Sequence, residues 1–110
     1  MNKFIYKYKP EFNEKINGSP FSFFITLPIN SILLSATIIE GDIFIYAFVD
    51  PTETAMTRVQ IAILPTGTSL TREDLNSLHK TDTQFLGTFV DESKTKSENP
   101  LVWHVWARRT

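Results

Sequence analysis

A chain of 110 residues with no cysteine, eleven Lys and Arg against twelve Asp and Glu, and nine Phe, three Tyr and two Trp is sized for one domain, residues 1–110, around one core. Lack of cysteine excludes disulfide staples, thiolate nucleophiles and thiolate metal sites, and a formal charge of −1 excludes holding long nucleic acid through many phosphate contacts. No run approaches the roughly 20 apolar residues of a membrane span, and the start has no uninterrupted apolar stretch of a signal peptide, so the expectation is a soluble intracellular protein with no membrane partner.

Lys3–Lys9 alternates, with Phe4, Tyr6 and Tyr8 on one side and Lys3, Ile5, Lys7 and Lys9 on the other. This is the pattern of a half-exposed strand, and its lysines suit a sheet edge. Pro10 ends it, and Glu11–Pro20 reads as a polar loop closed by Asn-Gly-Ser-Pro. Phe21–Leu27 is the second predicted strand, with Phe21, Phe23, Ile25 and Leu27 sharing a side. Ile32–Ile39 and Ile43–Val49, joined through Glu40-Gly41-Asp42, predict a hairpin. In its second arm Phe44, Tyr46 and Phe48 oppose Ile43, Ile45, Ala47 and Val49, so both faces are apolar and both call for cover.

Met56–Leu64 predicts a strand that sends Val59, Ile61 and Ile63 inward. After the loop Pro65–Ser69, Thr71 is positioned to cap a short helix, about Thr71–Lys80, with Glu73 and Asp74 in its first turn. A strand Gln84–Val90, a charged loop Asp91–Asn99 and a strand Leu101–Arg108 complete the chain. The last strand again has two apolar faces: Leu101, Trp103 and Val105 on one, Val102, His104 and Trp106 on the other. About seven short strands with one short helix argue a mainly β fold, an antiparallel β-sandwich or flattened barrel; the alternative is an α+β layer with the helix on one sheet face. Charge is basic at the two ends and acidic in the middle, which suits a small anion better than a polymer.

The catalytic inventory is thin. His79 falls at the end of the predicted helix, where an imidazolium complements the dipole, and His104 reads as a strand histidine hydrogen-bonded within the sheet, with a general base as the rival reading. Two histidines without a carboxylate pattern make no metal site. The loop holding Thr66, Gly67, Thr68 and Ser69 runs into a helix start and can receive an anion through hydroxyls and backbone N–H groups, though it lacks the Gly-Lys-Ser/Thr of a nucleotide triphosphate loop. Its plainer reading is a capped strand-to-helix connection. The aromatic stripes exceed what one small core needs; they predict a core plus a subunit interface, hence a homo-oligomer, or rings that sandwich bases with help from Arg58, Arg108 or Arg109.

Ile5-Tyr6-Lys7-Tyr8, Ile25-Thr26-Leu27-Pro28, Ile32-Leu33-Leu34-Ser35, Ile45 to Pro51, Thr66-Gly67-Thr68, Phe85-Leu86-Gly87-Thr88-Phe89 and Leu101-Val102-Trp103-His104-Val105-Trp106 resemble, in order and spacing over nearly the whole chain, a family of small phage proteins of about a hundred residues. That resemblance extends to anti-CBASS sponges, tetramers that sequester cyclic GMP-AMP in the cytoplasm of an infected bacterial host. The family's Leu-Trp in the fourth strand is Ile45-Tyr46 here, and its Gly-Thr-Gly loop is Pro65-Thr66-Gly67. The resemblance implies a non-enzymatic, cofactor-free partner of a cyclic dinucleotide. The candidate ligand residues are Arg58 for a phosphate, Thr66, Gly67, Thr68 and Ser69 as donors, and Tyr8, Tyr46 and Trp103 for stacking. Two rivals stand beside this reading: a structural or protein-interaction phage protein with no nucleotide ligand, and an enzyme that cleaves a nucleotide through His104.

Overall fold

A computed structural model describes residues 2–91 and 101–109. Within them the strands are β1 (Phe4–Tyr8), β2 (Glu11–Phe12), β3 (Phe23–Pro28), β4 (Ile32–Ile39), β5 (Asp42–Val49), β6 (Met56–Pro65), β7 (Thr83–Asp91) and β8 (Leu101–Arg109), with one α-helix, α1 (Arg72–Leu78). All pair antiparallel, in a three-stranded sheet ordered β1-β5-β4 and a five-stranded sheet ordered β2-β3-β6-β8-β7. The fold is mainly β and consistent with the expected sandwich.

The alternation seen in the sequence decides which side chains meet between the sheets. From the small sheet come Leu33, Ala36, Ile45, Ala47 and Val49; from the large one come Ile25, Leu27, Val59, Ile61, Leu86, Val105 and Ala107, all buried in one cluster. This core is aliphatic. The outer face of the large sheet carries a second, smaller cluster in which Phe21, Ala62 and Leu78 are buried against Ile16, Leu64, Leu70 and Trp106. Leu78 belongs to α1, so the helix packs on the outside of the sandwich as a partial third layer.

The helix starts as the sequence predicts. The Thr71 side chain accepts from the Asp74 N–H at 3.0 Å and Asp74 accepts from the Thr71 N–H at 3.0 Å, a reciprocal capping box. It ends sooner than expected, with His79 as the C-cap residue. The hairpin between β4 and β5 closes through Glu40 and Gly41, with φ of 51° and 85°. Two successive positive φ values make a two-residue turn of the type whose twist matches the flanking strands.

Three local expectations are corrected. The polar segment Glu11–Pro20 contains the two-residue strand β2 and a 3-10 turn at Glu14–Ile16; a strand of two residues is too short to show alternation. Phe21 does not share a side with Ile25 and Leu27: the chain bends between Ser19 and Ser22, where the Phe21 N–H donates to Ser19 Oγ at 3.2 Å, and the ring drops under α1 instead. Asp91 is the buried last residue of β7 and not part of a charged loop; the rest of that loop, residues 92–100, lies outside the described residues.

Two substitutions test the local geometry. Gly87 follows the β-bulge of β7 with φ of 137°, and a Cβ there would stand 2.7 Å from the tip of the Phe89 ring. Gly87→Ala therefore meets both a clash and a backbone that L-residues avoid, and thermal or denaturant unfolding is expected to show a loss of about 2 kcal/mol. Glu40→Asn has the opposite sign. Asparagine tolerates a left-handed φ better than glutamate, so the same measurement is expected to show a gain of about 0.5–1 kcal/mol.

Candidate functional site

One end of the sandwich gathers most of the chain's unusual chemistry. There β1 and β6 end, β3, β5 and β8 begin, and the sheets leave a cleft of about 290 Å³ between them. Its apolar lining is Phe23, Ile43, Ile63 and Trp103, while Lys9, Pro10, Gly41 and Asp42 form the rim. Parity places these residues. Trp103 pairs with Pro65 and Phe89, two positions before the fully buried Val105, so its indole faces the gap between the sheets. Phe23, Ile43 and Ile63 pack on the edge of the main core. At the rim Lys9 Nζ lies 3.7 Å from Asp42 Oδ2, both side chains more than half exposed. An ion pair so exposed contributes little to stability and yields readily to a competing anion.

Beside the cleft, the loop after β6 is tied to the start of β8 by a hydrogen bond from Thr66 N to Val102 O at 2.9 Å. The Thr68 hydroxyl donates to Pro65 O at 2.7 Å and closes the turn. Thr66 Oγ1 lies 2.7 Å from His104 Nε2, and Thr88 Oγ1 lies 3.0 Å from His104 Nδ1. A neutral imidazole donates through one ring nitrogen and accepts through the other, so His104 links two threonines across β6, β8 and β7. The Thr66–imidazole contact has the spacing of an activated nucleophile. The place a carboxylate takes in a catalytic triad is filled by the Thr88 hydroxyl, which carries no charge to stabilise an imidazolium. The expectation of a strand histidine held within the sheet is thus met in geometry. Ser69 lies on a separate shallow cavity of about 230 Å³, with Gly18, Thr68 and Asp74.

The sequence-selected residues occupy three surfaces. Trp103 lies in the cleft; Tyr8 lies close by, lining a neighbouring cavity of about 170 Å³ that shares Lys9 and adds Glu11 and Phe24. Burial, followed by the neighbouring Tyr6, raises the Tyr8 phenol above its ordinary pKa. Thr66, Gly67, Thr68 and Ser69 adjoin the same end. Tyr46 stands on the outer face of the small sheet, paired with Lys7 and Ser35. Arg58 stands on the outer face of the large sheet with its guanidinium 3.8 Å from the centre of the Phe24 ring. Within one copy of the chain, Tyr46 and Arg58 do not join the cleft.

Lys9, Phe23 and Ile63 were not among the sequence-selected ligand residues. Phe23 and Ile63 had a signal, the inward parity of their strands; Lys9 had only its place before Pro10. Arg108 and Arg109 are structural in geometry. Arg108 donates through Nε and Nη2 to Gln60 Oε1 at 2.9 and 2.6 Å and stacks on Phe21 at 4.0 Å, and Arg109 Nη2 donates to Ser31 O at 2.7 Å. At the opposite end of the molecule the Asp50 carboxylate is held below its usual pKa by hydrogen bonds from the Thr52 hydroxyl and then the Thr52 N–H. Among the described residues no group of three or more His, Asp or Glu is placed to hold a metal ion, and no helix is long and apolar enough to cross a membrane.

Neither a curated protein nor a solved structure matches the chain. One family model matches all of it, residues 1–110, and the chain belongs to that family, described as a domain of unknown function (DUF7352).

Proposed function

We propose that this protein binds and sequesters a cyclic dinucleotide, such as cyclic GMP-AMP, without cleaving it. The observation that supports this reading is the cleft between the sheets: an indole and a phenyl ring in a slot with a lysine at its mouth. Flat aromatic walls favour a nucleobase, and each stacked base contributes roughly 1–3 kcal/mol. The volume of about 290 Å³ is at the small end of ligand sites, which span about 300–1,000 Å³. It accommodates one base. The second base and the phosphodiesters then lie at the mouth, where Lys9 exchanges Asp42 for a phosphate oxygen.

Sequestration needs no catalytic group, and the engagement of both His104 ring nitrogens with neutral hydroxyls favours binding over cleavage. In the setting the family resemblance implies, the protein works in the cytoplasm of an infected bacterium and silences a nucleotide-triggered defence. A second reading, a protein-interaction role with no nucleotide ligand, is favoured by one separate feature: the outer face of the small sheet, where Ile5 is 58% and Ile32 51% exposed.

The test is depletion and recovery. Native protein in excess is expected to remove cyclic GMP-AMP from solution, and heat denaturation to return it chemically unchanged. Trp103→Ala is expected to weaken binding about 10- to 100-fold, the loss of one stacked base, and Lys9→Glu, at an exposed position, to weaken it without lowering the unfolding temperature. Calorimetric titration reads both. Failure of the native chain to deplete the nucleotide, or recovery of a cleaved product, overturns the proposal.

A further inference from the structure

The mouth of the cleft holds opposite charges side by side. Lys9 follows Tyr8, which pairs with Ile45, and Asp42 opens the neighbouring strand β5, so that Lys9 Nζ and Asp42 Oδ2 stand 3.7 Å apart at the rim. Local structure does not require the acid. The turn before it is made by Glu40 and Gly41, both at positive φ, and an ion pair whose side chains are 61% and 53% exposed adds little to stability. An acid at this place also opposes an anionic ligand, because at a protein surface its repulsion of a phosphate rivals the attraction of the lysine beside it.

We infer that Asp42 reads the sugar of the nucleotide, its carboxylate accepting a hydrogen bond from a ribose 2′-hydroxyl. The inference rests on the cyclic dinucleotide reading above. With one base in the slot, the ribose emerges at the mouth and its phosphate takes Lys9. The carboxylate loses its cation in that exchange and needs a donor in its place. In a 3′–5′ linked ribonucleotide the 2′-hydroxyl stands on the carbon next to the one that bears the phosphate, so an anion and a donor leave the sugar side by side, as the cation and the acceptor stand side by side at the rim. Among the described residues no other charged side chain lines the cleft, so Asp42 is the one charged acceptor the cleft offers to the sugar.

Charge and exposure set the size of the effect. A hydrogen bond to an ionised acceptor is stronger than one between neutral groups, and closed sites built around a substrate hydroxyl reject the analogue that lacks it by roughly 10⁴–10⁵-fold. Here the carboxylate is half-exposed and water competes for it, so the preference for ribose over deoxyribose is about tenfold. The preference belongs to the sugar and not to the base: a carboxylate that met a base edge instead is blind to the 2′-hydroxyl.

Calorimetric titration of the full chain with 3′–5′ linked cyclic GMP-AMP, and with the same molecule lacking both 2′-hydroxyls, tests the inference, since the two ligands are equal in bases and charge. The wild type is expected to bind the ribose form about tenfold more tightly. Asp42→Ala, at an exposed position, is expected to erase that ratio and to bind the deoxy form at least as tightly as the wild type does, because the repulsion of the phosphate is gone. Circular dichroism checks that the variant folds. A wild-type ratio near one overturns the inference and leaves sequestration standing. So does a preference that survives in Asp42→Ala, the mark of sugar conformation rather than of the carboxylate, and so does a variant that loses equal affinity for both forms, the result expected of an acid that reads the base edge. Binding of neither form overturns the sequestration reading and this inference with it.

Discussion

Most of this structure follows from a single strand that is apolar on both sides. β5 sits at the centre of a three-stranded sheet and presents Ile45, Ala47 and Val49, all fully buried, to the opposing sheet. At roughly 1.5–3 kcal/mol for each large aliphatic side chain removed from water, these contacts are a major part of what joins the two sheets. Ala47 and Ala107 are part of the same cluster, and their small side chains let the backbones of the layers approach. The strand's other face has no such partner within the described chain. That asymmetry, one face satisfied and one left over, decides which side of the small sheet is core and which is surface.

The aromatic residues are distributed by the same constraint. Of the largest fully buried side chains only Phe21 is aromatic, and it lies outside the sandwich gap, beneath α1. The rings concentrate instead at margins: Trp103 and Phe23 at one end of the gap, Phe4 and Tyr6 along the β1 edge, Phe85 against Trp106 on the outer surface at 5.0 Å between ring centres. β1 lies over the short β2–β3 margin, where Tyr8 and Lys9 meet Glu11 and Phe24. Because β2 has only two residues, the Phe4 and Tyr6 rings point toward the second sheet yet remain 49% and 42% exposed.

Strand identity and facing were legible in the sequence because a period of two is a physical consequence of the pleat. It gave Val59 and Ile61 inward, Trp103 and Trp106 on opposite faces of the last strand, and β5 two-sided. The hairpin and the helix cap were legible because glycine and the Thr-x-x-Asp spacing carry their own local geometry. β2, the bend that redirects Phe21 and the overhang of β1 were not, since each depends on where a distant strand ends. The cleft was half legible: parity set Trp103 on the same face as Val105, but nothing local could bring Lys9, Phe23 and Ile43 beside it. Arg58 was selected for its fork of donors, and its stack on Phe24 depends on the β3–β6 register, which no single segment displays.

The positions of the cations tie these strands of reasoning together. Arg58 on Phe24, Arg108 on Phe21 and Lys7 on Phe44 each lie over a ring on an outer sheet face. A cation so placed shields apolar surface with its stem and is held by the ring quadrupole. It is therefore less available to a diffusing anion than an equally exposed lysine without a ring beneath it. Lys9 differs: it follows the last residue of β1, its ammonium lies 3.7 Å from Asp42, and it borders the aromatic cleft. On the proposed reading, a small anionic ligand with a flat ring system meets an exposed lysine and an aromatic wall together at this mouth.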